Sequence, residues 1–185
     1  MMLERIWISG YRAYELSVFG DQDPKLTVIK YSLKNALLPM LDAGLQWIIT
    51  GGQLGVEQWA AEVALLLKAD YPALQVAMMV PYADFGQQWN EANQAKLAKL
   101  KTSVDFFAAT SNTPYQSPSQ LSGYNRFMSQ HTDGALFLYD DEFPGKAEFG
   151  YRQALAEGQR REYSVSTIGM DDLQDAAREL QDDQD

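Results

Sequence analysis

Ile48-Ile49-Thr50-Gly51-Gly52-Gln53-Leu54-Gly55-Val56-Glu57 carries an apolar run through three glycines into a helical pattern. Downstream, Val56, Trp59, Ala60, Val63, Ala64 and Leu67 recur three and four apart, with Glu57, Gln58, Glu62 and Lys68 between them. That spacing predicts an amphipathic helix. Upstream, Leu45, Trp47, Ile48 and Ile49 form a short β-branched and aromatic run, suited to a strand buried on both faces of a parallel sheet. The first N–H groups of a helix after such a turn lack intrahelical partners, and the helix dipole gathers positive charge there. The junction therefore favours a phosphate or a carboxylate. The dipole supplies only about 0.3–1 kcal/mol at an exposed site, so converging N–H bonds must carry most of the binding. The plainer alternative is a tight turn in which glycine meets a positive φ and allows close helix packing. The spacing fits neither G-x-G-x-x-G nor G-x-x-x-x-G-K-[ST], and no lysine follows to grip a phosphate, which argues against an ordinary P-loop NTPase.

Outward from this unit the chain alternates strand and helix. Arg5 to Ser9 reads as a first strand and runs into Gly10-Tyr11-Arg12, which puts a cation at a strand's C-terminal end, where open α/β sheets bind ligands. Arg12 offers two parallel donors to a phosphate or carboxylate, or pairs with a surface acid; Tyr11 and Tyr14 either stack on a base or pack. Asp23-Pro24 caps a helix with a stripe of Leu26, Ile29, Leu33, Leu37 and Leu41, with a kink expected at Pro39. A third strand spans Gln75 to Val80, and residues 87–101 read as an exposed helix with Trp89, Ala92, Leu97 and Leu100 inward. Val104 to Ala109 is a fourth strand and opens into the polar loop from Thr110 to Pro118, which contains Asn112; loops of that length are often functional. The next helix turns Leu121, Tyr124 and Met128 inward and presents Asn125 and Arg126. A fifth strand from Gly134 to Tyr139 ends at Asp140-Asp141-Glu142, acids suited to a ribose or a divalent cation. A helix through Ala147, Tyr151, Ala154 and Leu155 is predicted to stop near Gly158, and a last strand covers Tyr163 to Ile168.

Six short strands alternating with helices predict an α/β fold, a Rossmann-like, doubly wound and mostly parallel sheet with helices on both faces. Residues 1–170 are expected to form one such domain, and 171–185 an acidic C-terminal helix or tail. With 185 residues and 46% hydrophobic content, one core is the default. The formal charge is −10, but residues 171–185 hold seven acids and one base, so the acidity is mostly a property of the tail. A mildly acidic body without a basic stripe argues against duplex nucleic acid, and no basic amphipathic helix offers itself to a membrane. The start lacks the pattern of a signal peptide, so a cytoplasmic protein is expected. With no cysteine and a single histidine, His131, thiol chemistry is excluded and a metal would need carboxylates alone, so no metal site is expected.

Ser9-Gly10-Tyr11-Arg12, the string from Gly51 to Glu57, Trp89-Asn90-Glu91-Ala92-Asn93, Tyr115-Gln116-Ser117-Pro118 and Tyr139-Asp140-Asp141-Glu142, taken together, resemble the YpsA family over nearly all of the chain to about residue 170. That family belongs to the SLOG superfamily of Rossmann-like domains, with the DNA-processing protein DprA and the LOG phosphoribohydrolases. The resemblance implies a nucleotide-like ligand over the glycine turn, such as NAD, ADP-ribose or a nucleoside phosphate, and by superfamily analogy a homo-oligomer. It does not imply a reaction. Where LOG enzymes carry a second motif of the type PGGxGTxxE, this chain reads Phe143-Pro144-Gly145-Lys146-Ala147-Glu148-Phe149-Gly150 and shares only Pro-Gly.

The ligand-binding candidates are Gly10, Tyr11 and Arg12 from the first strand end and Gly51, Gly52, Gln53, Gly55 and Glu57 from the organising turn. Asn112, Asn125 and Asp140 join them from later elements. Three functions compete: a noncatalytic nucleotide sensor, a nucleotide N-glycosidic hydrolase using Glu57 or Glu148, and a protein-interaction module in which the glycine turn is purely structural.

Overall fold

The short apolar runs become the strands of one sheet. In the computed structural model, which describes residues 2–185, these are β1 (Arg5–Gly10), β2 (Trp47–Thr50), β3 (Gln75–Val80), β4 (Phe106–Ala109), β5 (Gly134–Leu138) and β6 (Ser164–Ile168). Their order is β4-β3-β2-β1-β5-β6, and every pairing is parallel. The helices are α1 (Pro24–Asp42), α2 (Val56–Leu67), α3 (Glu91–Ser103), α4 (Ser119–Gln130), α5 (Glu148–Arg160) and α6 (Met170–Asp182). The winding reverses at β1, which pairs with β2 on one side and β5 on the other. Right-handed crossovers then put α1, α2 and α3 on one face and α4 and α5 on the other. Packing follows suit: α1 lies against α2 and α6, α2 against α3, and α4 against α5. The molecule is thus a doubly wound α/β domain, Rossmann-like, and its sheet is parallel throughout.

Hydrophobic periodicity translates directly into burial in the first half. Val56, Trp59, Ala60, Val63, Ala64 and Leu67 are all buried, as is the α1 stripe of Leu26, Ile29, Leu33, Leu37 and Leu41. They close over Ile6, Ile8, Ile48 and Val76 of the sheet. The Asp23 side chain accepts from the N–H of Lys25 and caps α1, whose interior Pro39 does not end it. No helix among the described residues is long and apolar enough to cross a membrane.

Several boundaries and faces differ from the sequence reading. Asn90 caps α3 by accepting from Asn93, so Trp89 stands before the helix, edge-on to Phe85 at 5.2 Å, and Ala92 is exposed. Leu121, expected inward, is exposed. Helix α5 runs past Gly158 to Arg160; buried Glu157 holds this last turn by accepting from Arg161 Nε at 2.6 Å. The acidic C-terminal segment is a helix docked on α1. Ala176 is buried, Met170 and Leu173 pack against the core, and Tyr31 donates to Glu179 at 3.1 Å.

Candidate ligand site at the strand ends

Two backbone crossings build the site. After β1, Arg12 and Gly55 form an isolated antiparallel bridge, with Ala13 N donating to Leu54 O at 3.0 Å and Val56 N to Tyr11 O at 3.1 Å. Gly55 is required there: its φ is 128°, and a Cβ would lie 2.6 Å from both Ala13 N and Tyr11 O. The second crossing is made by Glu15. Its carboxylate accepts from Arg12 N at 2.8 Å and from Lys146 N at 3.0 Å, which sets the two cationic residues side by side although they are far apart in sequence.

Within this frame lies a cavity of about 450 Å³, at the C-terminal ends of β1, β2 and β3 and roofed by α4 and the start of α5. Its lining includes Ser9, Arg12, Gly52, Gln53, Glu57, Phe85, Leu121, Tyr124, Asn125, Lys146 and Phe149. Arg12, Gln53, Leu121 and Lys146 also line a second, adjoining hollow of about 660 Å³. The arginine and lysine therefore stand on the wall shared by two cavities.

Glu57 is the electrostatic centre. It is only 4% exposed, and its carboxylate accepts from Gln53 N at 2.8 Å and from Ser9 Oγ at 3.3 Å, with Arg12 Nη1 at 3.9 Å. Burial pushes its pKa up, and the guanidinium, the Gln53 N–H and the Ser9 hydroxyl offset this only in part. At 3.9 Å the guanidinium is a loose partner, so burial wins. Beside the carboxylate lies the buried hydroxyl of Tyr124, also pushed well above its ordinary pKa by burial first and by Glu57 second.

These bonds alter the expected role of the glycine turn. Three N–H groups of the turn are engaged within the protein: Val56 N with Tyr11 O, Gln53 N with Glu57 and Gln58 N with Gln53 O. Gly52 lines the cavity through its backbone, but neither of the paired glycines has room for a side chain. A Cβ on Gly51 would clash with the Glu57 carboxylate and the Tyr124 hydroxyl, and one on Gly52 would press on Val80, Phe85 and Leu97 at 3.0–3.2 Å. Both are glycine because their surroundings are full.

The sequence candidates divide accordingly. Arg12, Gly52, Gln53, Glu57 and Asn125 line the cavity together, and Gly55 lines the adjoining one. Gly51 lies beneath the floor, and Gly10 is pressed against Leu138 O and Val56, where a Cβ would come within 2.6 and 2.9 Å. Tyr11 is buried, bonding through its hydroxyl to the carbonyl of Phe143 at 2.7 Å and packing on Tyr139, so it is a structural strut rather than a base-stacking platform. Asp140 turns to local work, accepting from Glu142 N and Met170 N at 3.0 Å each. Asn112 is exposed on a loop tied down by the Gln120 side chain, which bonds to Ser111, Thr113 and Pro114, and it lies outside both cavities. Glu148 pairs with Arg152 and lines neither cavity. Among the described residues no group of three or more His, Asp or Glu is gathered as a metal ion would need.

Ser9, Glu15, Tyr124 and Lys146 complete the arrangement and escaped the sequence reading. A serine ending an apolar strand and a tyrosine at an inward helical position are signals that could have found two of them, since a buried hydroxyl needs a partner.

Comparison with known proteins agrees with this architecture. A UPF0398 protein of Lacticaseibacillus casei is 60% identical over 180 residues, covering 97% of this chain and 94% of its own. A UPF0398 protein of Lactiplantibacillus plantarum is 51% identical over 177 residues, covering 96% and 94%. The solved structure of DNA processing protein A from Helicobacter pylori, described for its single-stranded DNA binding mode, superposes with a TM-score of 0.55 at 17% identity, covering 98% of this chain and 82% of that one. At that identity the likeness speaks for the fold alone. The sequence also matches the YpsA family, described as the YspA SLOG family, over residues 6–173, and the chain belongs to that family.

Proposed function

We propose that this protein binds a nucleotide or nucleotide derivative, of the class of nucleoside phosphates, ADP-ribose or NAD, in the cavity at the strand ends. The observation that carries the reading is the convergence of Arg12, Gln53, Glu57, Asn125 and Lys146 around one hollow of about 450 Å³, a size suited to a small ligand. The parts have separate chemistries. Arg12 and Lys146 suit the anionic group, because the Lys146 ammonium has no carboxylate partner among the described residues and Arg12 has only a loose one. Glu57 suits hydroxyl donors of a sugar. Phe85, Leu121 and Phe149 offer apolar surface for a base. The phosphate is thus assigned to the cationic wall and not to the glycine turn.

Binding without turnover is favoured over hydrolysis because a second carboxylate is missing from the cavity lining: Glu148 faces Arg152 instead. Hydrolysis of an N-glycosidic bond remains a second reading on one observation, a buried carboxyl of raised pKa inside the cavity, the kind of group that general acid–base catalysis uses. Single-stranded DNA, the ligand named for the structural neighbour, is disfavoured by a mildly acidic body that carries no basic stripe.

A thermal-shift screen of the purified protein against nucleoside phosphates, ADP-ribose and NAD tests this, with product analysis for every hit. A rise in melting temperature that is lost in Lys146→Ala, without new products, supports the sensor reading. Product formation abolished by Glu57→Gln would replace it with the hydrolase, and no shift with any nucleotide would refute both.

A further inference from the structure

Two buried side-chain polar atoms lack a hydrogen-bond partner among the described residues, Trp7 Nε1 and the Tyr124 hydroxyl. Only Tyr124 belongs to a residue that lines the cavity. It is 7% exposed, and its hydroxyl oxygen lies beside the Glu57 carboxylate, the two flanking the Gly51 backbone so closely that no Cβ fits between them. A buried hydroxyl without a partner destabilises every ligand-free molecule, whereas a phenylalanine would fill the same space without that cost. The neighbouring groups narrow what could satisfy it. The ionised Glu57 accepts only, and two of its acceptor positions are taken by Gln53 N and Ser9 Oγ. A phosphate would use the tyrosine donor but be repelled by the buried carboxylate, and an ammonium would use the carboxylate but not the donor. A pair of adjacent hydroxyls uses both, since each hydroxyl donates and accepts.

We propose that Glu57, Tyr124 and Ser9 form a subsite for a vicinal diol, the 2′- and 3′-hydroxyls of a ribose, in which Glu57 accepts from one hydroxyl and Tyr124 donates to its neighbour. The inference rests on the nucleotide reading above and deepens it: the site selects ribonucleotides over deoxyribonucleotides, and Tyr124 is the residue that sets the selection. Ser9 is a positioning residue that fixes the carboxylate through its hydrogen bond.

The test is calorimetric titration of the wild type and Tyr124→Phe with AMP, GMP, CMP and UMP and with their 2′-deoxy and 3′-deoxy counterparts. The wild type is expected to bind at least one ribonucleotide about tenfold or more tighter than one of its deoxy counterparts, the scale of one buried hydrogen bond. Tyr124→Phe is expected to lose most of that preference by weakening the ribonucleotide alone. Without nucleotide the variant is expected to melt no lower than the wild type, because the deleted oxygen had no partner. A variant that keeps the preference, or a wild type that binds ribo- and deoxyribonucleotides alike, overturns the diol subsite and leaves nucleotide binding standing. A wild type that binds none of these nucleotides, and neither ADP-ribose nor NAD, overturns both. A variant that melts lower shows that the hydroxyl has a structural partner and overturns the subsite.

Discussion

Glu57 is the residue on which sequence and structure part company most. It lies in the first turn of α2, where an acid is favoured by the helix dipole on an exposed surface. The structure folds it inward instead, beneath Ser9 and Tyr124, which come from β1 and α4 and which no local pattern ties to it. The displacement has a measurable consequence. Because burial holds the carboxyl above the usual 4.5, the folded protein keeps a proton over a range in which the unfolded chain has released it. The favourable contribution is whole below that usual value and is lost as pH rises through the raised one. Glutamine in its place titrates nothing, and all other carboxylates are common to both proteins. Urea midpoints measured from about pH 4 to 8 are therefore expected to show the wild type losing stability relative to Glu57→Gln as pH increases. A gap moving in the wild type's favour with rising pH would mean that Arg12 and the Gln53 N–H outweigh burial.

At the scale of elements, what could be read from the sequence was what one element decides alone. The α1 and α2 stripes repeat at helical spacing, and their burial follows. Asp140 suits a ligand as an acid at a strand end, and its side chain satisfies the N–H groups of neighbouring Glu142 and of Met170, 30 residues away. The loop from Thr110 to Pro118 was equally ambiguous, and its conformation is held by Gln120 of the following helix, which no local pattern in the loop announces. The acidic C-terminal segment reads as a helix or tail by composition, and Ala176, Met170 and Leu173 dock it on the body as a helix. Deleting residues 170–185 is therefore expected to cost roughly 2–4 kcal/mol, the burial of about two side chains, in chemical denaturation. Nucleotide affinity of the folded fraction should not change, because none of these residues lines the cavity. A truncated chain of unaltered stability would contradict the docking, and one that is stable but fails to bind would bring the C-terminal helix into the site.

Over the whole molecule, strand and helix alternation specified the doubly wound sheet, and the position of the candidate cavity followed from it, since ligands of such sheets lie beyond the strand C-terminal ends. The position was legible while the composition of the site was only half so. Arg12, Gln53, Glu57 and Asn125 were readable from strand ends and helix faces, but Lys146 reaches Arg12 through the Glu15 carboxylate, a contact spanning most of the chain. Hydrogen exchange read by mass spectrometry, in the presence and absence of saturating ADP-ribose or AMP, tests the central claim most directly. The account predicts slowed exchange in the segments around residues 9–12, 51–57, 119–125 and 146–150, and little change elsewhere. Protection confined to other segments, or none with either nucleotide, would contradict it.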